Sequence, residues 1–292
     1  MGKFYSFWKE RDMRILGAML GGTISSCHVD GTIRLGKPSF VKSFLLESNY
    51  PHEFVFPEFD TYSSEDATPY MYRDALKKIV ENVRKSDFDG ILITHGTDTC
   101  AYFSQLAYRA LSPLGIPFAV TGSVNSPDAD PDEASGNIAY AVKMLEEGRS
   151  GVVFRNRSGE VQLYRADLII SPDIYGFYDE YPDGITPSEF DCNEFLNCGK
   201  LPEILVIPAV PGAVIPEKGF DRVLICCNHS GTASVDLVPM VEKWTSEGIR
   251  CYMAPIPVNG GVYESREKLR NAGAIELPGM PMEGAWAEVL LR

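Results

Sequence analysis

The chain has 292 residues, of which 45% are hydrophobic and 23% charged, the balance of a soluble globular protein with ample material for a core. Its formal net charge of −13 argues against a nucleic-acid or anionic-membrane surface, which needs clustered basic residues. That length predicts one large domain or two of ordinary size.

Strand and helix patterns alternate along the chain. Arg14–Leu20 reads as a strand and runs into Gly21-Gly22-Thr23-Ile24-Ser25. Thr68-Pro69 has the form of an N-cap followed by proline at the first helical position. The helix it opens carries Tyr72, Leu76, Ile79, Val80 and Val83 on one face. Asp89–Thr94 reads as a strand whose Ile91 to Ile93 are apolar without alternation, as a parallel strand covered on both faces should be. It stops in His95-Gly96-Thr97-Asp98-Thr99, and a helix is expected from there to Leu111. Pro117–Thr121 is a short strand ending in Gly122-Ser123. The acidic stretch Asp128 to Asp132 precedes a helix to Glu147. Gly151–Arg155 and Val161–Arg165 flank the turn pair Ser158-Gly159, a hairpin signal.

Between Ser171 and Pro216 proline, glycine, tyrosine and asparagine break the pattern, and only Glu203–Val210 reads as a strand. Alternation returns with strands at Val223–Cys227 and Ile249–Ala254 and helices at Ser234–Glu247, Tyr263–Ala272 and Met282–Leu291. This is βαβ architecture and predicts an α/β protein of two unequal lobes. The expected division is an N-terminal domain over 1–195 with a Rossmann-like, flavodoxin-like parallel sheet, a linker over 196–216, and a smaller α/β domain over 217–292.

The seven cysteines are odd in number and contain no C-x2-C pair, which reads as free thiols in a reducing compartment. Four histidines without ligand spacing argue against a structural zinc site, and no metal or other cofactor is expected. The first fourteen residues carry Lys3, Lys9, Glu10, Arg11, Asp12 and Arg14 and no apolar run, unlike a signal peptide. No stretch approaches the ~20 apolar residues of a membrane span, so a cytoplasmic protein is expected.

Chemistry concentrates at the strand ends, where open α/β sheets bind ligands. Gly22 lets a ligand approach the backbone, and Thr23 presents a hydroxyl that needs a base or proton sink to become a nucleophile. Thr97 and Asp98 supply a second hydroxyl and a carboxylate from a neighbouring strand end. The plain alternative makes Thr23 a turn residue and Asp98 or Thr99 a helix cap. The helix start at Thr99 suits a carboxylate or an oxyanion and Asp98 suits an ammonium group, so a zwitterionic amino acid fits both. His95, between a strand and a tight turn, reads as structural more readily than as a general base. His28, His52 and His229 show no evident partners, and Cys226-Cys227 reads as core. The chain has no G-x-G-x-x-G after a strand, no P-loop and no G-x-S-x-G elbow.

Leu20-Gly-Gly-Thr-Ile24 and Thr94-His-Gly-Thr-Asp-Thr99 resemble the two signature motifs of the bacterial-type L-asparaginases, which include glutaminase-asparaginases and the asparaginase-like subunit of an archaeal tRNA-dependent amidotransferase. Ser63-Ser-Glu-Asp-Ala-Thr-Pro69 resembles the family's substrate loop, and Pro117–Ser123 its strand and turn after the second motif. Gly260-Gly261, Gly273-Ala-Ile275 and the helix from Met282 resemble its smaller lobe. The resemblance implies a hydrolase of L-asparagine, or of L-glutamine, that releases ammonia through a threonine acyl-enzyme. It places Thr23 as nucleophile, Thr97 as the polarising threonine and Asp98 on the substrate's α-amino group. Ser64 falls on the serine that holds the α-carboxylate and Glu65 on its neighbour, with Gly22 and Ser123 beside them as substrate-binding positions. It also implies homodimers or homotetramers in which a neighbour completes each site.

Three positions depart from the family pattern. Leu20 stands where the first motif opens with threonine, and Thr32 falls where the family has an activating tyrosine, leaving Tyr50 or Tyr62 as substitutes. No lysine matches the catalytic lysine after the hairpin; Arg165 is nearest, and an arginine keeps the charge without releasing a proton. These departures open the alternative of a weak or inactive amino-acid binding protein or amidotransferase-type subunit.

Overall fold

A computed structural model describes residues 12–187, 191–216, 218–259 and 261–292. The charged residues Lys3 to Arg11, the first position of the expected C-terminal domain, and Gly260 of the glycine pair lie outside the described residues. In chain order the elements are β1 (Arg14–Met19), the hairpin strands β2 (Ser26–Val29) and β3 (Thr32–Leu35), α1 (Ser39–Glu47) and β4 (Glu53–Val55). Next come α2 (Pro69–Lys85), β5 (Gly90–Thr94), α3 (Cys100–Leu111), β6 (Phe118–Thr121), α4 (Pro131–Glu146), β7 (Gly151–Arg155) and β8 (Val161–Tyr164). The chain continues with β9 (Ile169–Ile170), β10 (Asp179–Glu180), α5 (Asn193–Asn197), β11 (Ile204–Ile207) and β12 (Arg222–Cys226). It closes with α6 (Val238–Ser246), β13 (Arg250–Ile256), α7 (Glu264–Asn271), β14 (Ile275–Pro278) and α8 (Met282–Leu291).

The residues divide into two compact units. The first contains the chain up to Ala67, Lys77–Thr97 and Leu114–Leu163. Its sheet has six strands in the order β4-β1-β5-β6-β7-β8, and the pairs from β4 to β7 are parallel. β1, β5 and β6 are buried along almost their whole length, which is why their sequences are continuously apolar. The core of this unit gathers Ile15, Met19, Ile24 and Leu92 with Val41 and Leu45 of α1 and Ile138, Val142 and Leu145 of α4. Each such fully buried aliphatic side chain contributes about 1.5–3 kcal/mol relative to exposure.

The second unit comprises Thr68–Leu76, Asp98–Pro113 and everything from Tyr164 onward. Its sheet is parallel in the order β11-β12-β13-β14. Trp244 of α6, Met253, Ile225 and Leu269 pack on one another, and Tyr252, Ala254 and Leu277 pack with Ala285 and Val289 of α8. Of the pair expected in the core, Cys227 is buried there, while Cys226, the last residue of β12, is half-buried; Cys251 is buried as well. β11 lies inside the stretch expected as a linker and pairs in register with β12, Leu205 opposite Val223. Thr68 caps α2, its hydroxyl accepting the Met71 N–H at 3.3 Å. All seven cysteines are free thiols.

Candidate active site

Strand register sets the carboxyl edge of the first unit's sheet. Met19 pairs with Thr94, and Thr94 with Thr121, so the segments beginning at Leu20, His95 and Gly122 leave the sheet at one level. Backbone bonds continue past the strands. The Leu20 N–H donates to the Thr94 carbonyl at 3.1 Å and the His95 N–H to the Thr121 carbonyl at 2.9 Å. A fourth segment joins them, because the Tyr62 N–H donates to the Leu20 carbonyl at 3.0 Å and Tyr62 bridges Gly21.

Beyond this level the segments close on each other, backbone against backbone at Gly22 and against the Ser64 side chain at Gly96. Gly22 has φ 81°, and a Cβ there would drive into the backbone of His95 and Gly96. A Cβ at Gly96 would stand 2.5 Å from Ser64 Oγ. Three short stretches that are far apart in sequence therefore meet: Gly22 before Thr23, Gly96 before Thr97, and Ser64 before Glu65. Ser64 is buried, Thr23 and Thr97 are half-buried, and Glu65 and Asp98 are exposed. Thr23 begins a single 3-10 turn, Thr23–Ser25.

His95 lies under this cluster. It is 0% exposed, its Nδ1 sits 2.8 Å from the Gly96 carbonyl oxygen, and the Tyr62 ring meets its ring edge-on at 5.6 Å. Burial lowers its pKa to about 4, against a weaker opposing effect of the Gly96 carbonyl, so the ring is neutral at neutral pH. Tyr62, one of the two candidate substitutes for the absent tyrosine, is buried at these strand ends. Tyr50, the other, packs with His52 and Phe54, beside the sheet's β4 edge. Thr32 is exposed on the hairpin.

Ser123 is buried after β6, and its hydroxyl donates to the Asn125 carbonyl at 2.5 Å. That loop is gripped from below by Glu133 of α4, a buried carboxylate that accepts the Val124 N–H at 2.8 Å and the Asn125 N–H at 3.0 Å. Nothing in the sequence singles out Glu133, although Asp130, Pro131 and Glu133 form a helix-start signature, and Asp130 does cap α4 by accepting the Glu133 N–H at 2.9 Å.

In the second unit Asp98 and Thr99 precede α3. Thr99 stands at the N-cap without a capping bond from its side chain and accepts instead the Tyr72 hydroxyl at 2.6 Å. The first turn of α3 holds no acidic residue, so its backbone N–H groups keep their positive character. Behind Asp98, Cys100 is 0% exposed and burial pushes its thiol to about 12, which leaves it protonated and inert. Arg165 forks onto Asp167 at 2.6 and 3.2 Å and donates to Thr186 Oγ1 at 2.6 Å. The hydrogen bonds to Asp167 raise its pKa further, and it holds charge without exchanging protons.

Two histidines without evident partners in the sequence have them in the fold. His28 faces Asp128 at 3.2 Å, and His52 faces Glu146 at 2.8 Å. Among the described residues no group of three or more His, Cys, Asp or Glu side chains is placed to hold a metal ion. No described helix is long and apolar enough to cross a membrane.

Compared with known proteins, residues 14–167 match the family described as Asparaginase, N-terminal. A glutamyl-tRNA(Gln) amidotransferase subunit from Pyrococcus abyssi is 22% identical over 320 aligned positions, covering 96% of this chain and 71% of that protein. The corresponding amidotransferase subunit from Aeropyrum pernix is 25% identical, covering 96% of this chain and 74% of its own length. Among solved structures, the thermostable L-asparaginase from Thermococcus kodakarensis superposes with a TM-score of 0.72 at 19% identity, over 96% of this chain and 92% of that one. L-asparaginase I from Vibrio cholerae gives a TM-score of 0.72 at 23% identity with the same coverage of both chains. At these identities the structural likeness speaks to the fold, and it agrees with the two-lobed α/β architecture.

Proposed function

The chain belongs to the asparaginase family, and from that premise we propose that it hydrolyses the side-chain amide of L-asparagine, or of L-glutamine, to the acid and ammonia. The observation that carries the proposal is the contact of Gly22, Gly96 and Ser64, which sets the two threonine-bearing turns and the serine loop side by side. In this reading the Thr23 hydroxyl oxygen attacks the carboxamide carbon, and its proton passes by way of Thr97 to the departing nitrogen. The C–N bond breaks, ammonia leaves, and water then cleaves the threonine ester. Ser64 holds the α-carboxylate, with Glu65 beside it, and Asp98 binds the α-ammonium. Gly22 and Ser123 shape the backbone around the amide. Arg165 contributes positive charge only. We further propose a homodimer or homotetramer as the working assembly.

A second reading has support of its own. His95 is buried with its pKa lowered to about 4, and Arg165 is a cation committed to Asp167, so neither is an accessible base of useful strength. An asparaginase-like protein that binds an amino acid and turns it over slowly or not at all would present the same groups.

Ammonia release from L-asparagine and L-glutamine, measured for the wild type beside Thr23→Ala, separates the two. Turnover that falls at least about 1,000-fold in the variant, the loss expected for a nucleophile, supports the hydrolase. Absence of ammonia from both proteins at millimolar substrate, with amino-acid affinity equal in the two, favours the binding protein.

A further inference from the structure

Tyr72 reads in the sequence as one more core residue on the apolar face of α2, and its ring is packed as one. It is 3% exposed and meets Phe103 of α3 edge-on at 5.4 Å and Trp286 of α8 at 6.3 Å. All three belong to the second unit. Packing accounts for the ring but not for the hydroxyl, since a phenylalanine would fill the same place.

The hydroxyl donates to Thr99 Oγ1 at 2.6 Å. Burial raises its pKa, so the phenol stays a donor at neutral pH. Thr99 stands at the N-cap of α3, where a threonine side chain ordinarily bonds a backbone N–H of the first turn. Here that bond is absent, and the Thr99 hydroxyl is bonded to Tyr72 instead. A cap stabilises a helix about as much as one hydrogen bond of this kind, so exchanging the first for the second gains little stability. Stability alone is therefore a poor account of the phenol.

What the exchange fixes is the turn ahead of α3. The side chain that follows Thr99 is held in the same manner. Cys100 is 0% exposed, and the buried Tyr178 hydroxyl bonds its thiol. Of three consecutive residues, Thr99 and Cys100 have their side chains bonded to buried phenols, and Asp98 alone is exposed. Asp98 is the residue assigned to the α-ammonium of the substrate. A carboxylate gains most from a charge-assisted hydrogen bond when the backbone that carries it is already in place.

We propose that Tyr72 is a positioning residue for amino-acid recognition: through Thr99 it fixes the backbone from which Asp98 meets the α-ammonium group. This rests on the reading of Asp98 as the ammonium-binding residue, and it holds whether the chain turns its ligand over or only binds it.

The test is calorimetric titration of the full chain with L-aspartate and with succinate, the same diacid without its amino group. Wild type, Tyr72→Phe, Thr99→Val and the double variant are compared. Tyr72→Phe keeps the ring against Phe103 and Trp286, so the fold is expected to survive. Expected is a fall of about 5-fold in L-aspartate affinity in each single variant, with no further fall in the double, because both remove one bond. Succinate affinity should be unchanged throughout. Equal loss with both ligands would mean a general loosening of the site, and unchanged L-aspartate affinity in Tyr72→Phe would leave the phenol a packing role alone. Either result overturns the proposal while leaving the amino-acid reading intact. Additive losses in the double variant overturn the route through Thr99. If the wild type binds L-aspartate no better than succinate, Asp98 does not meet an ammonium group, and the underlying reading falls first.

Discussion

Within one unit, the strand-end cluster and the β2–β3 hairpin are built on opposite terms. At the cluster, Gly22, Gly96 and Ser64 are buried and their chains touch with no room for another methyl group. On the hairpin, the residues from Cys27 to Leu35 are all exposed, and Ile33 is 52% so. The hairpin is tied down by the Gly36 N–H on the Ser25 carbonyl at 2.9 Å and by His28 on Asp128. The family-like motifs lie in the first region, and the absent tyrosine would lie in the second, at Thr32. A position on an exposed hairpin can change its chemistry without any consequence for packing. A position in the cluster cannot, because backbone and the Ser64 side chain already fill the space beside it.

The sharpest test of that contrast uses His95, which the cluster buries in neutral form. Its folded-state pKa of about 4 lies below the ordinary value of 6.5, so the unfolded chain binds the proton more tightly. The stability this histidine contributes is complete above pH 6.5 and is lost as pH falls toward 4. The loss is of order 3 kcal/mol. Urea unfolding of wild type and His95→Gln between pH 7 and 4.5 should show the wild type steepening and the variant flatter over that window. Equal slopes would mean that the ring is not held as described. Next in size is Gly96→Ala, where the new methyl must push Ser64 or the Gly22 turn aside. A loss of about 1–3 kcal/mol is expected, together with a fall in amino-acid affinity; a variant of unchanged stability and affinity would show the contact to be loose. The smallest effect belongs to the hairpin. Ile33→Ser should alter stability by less than about 0.5 kcal/mol, and a larger loss in denaturant would reveal that the hairpin is covered in the working assembly.

Much of this architecture is legible in the sequence. β1, β5 and β6 announce themselves as unbroken apolar runs, and Thr68-Pro69 marks the start of α2 where it begins. The motif residues Thr23, Thr97 and Ser64 are also legible as a set. Their mutual approach is not, since it depends on the thickness of glycine backbone at positions distant in sequence. The short hairpin leaves no pattern because Ser26–Leu35 has no buried face to impose alternation. α1 does carry a signal, Phe40, Val41, Phe44 and Leu45 at helical spacing after Lys37-Pro38, but it is short and has no capping side chain to mark its start. β11 falls within a stretch dominated by proline and glycine, and only its pairing with β12 shows which body it belongs to. Glu133 and the partners of His28 and His52 are products of tertiary contact alone.

The meeting of Gly22 and Gly96 has one more consequence, for anyone who alters this protein. Two main chains in direct contact have no rotamers to choose between, so at the point of contact the separation of the turns they carry is set by backbone atoms rather than by side-chain packing. Exchanges of Ile15, Leu92 and Val153, deep in the sheet below, for other aliphatic residues should therefore change stability more than the spacing of the two threonine turns.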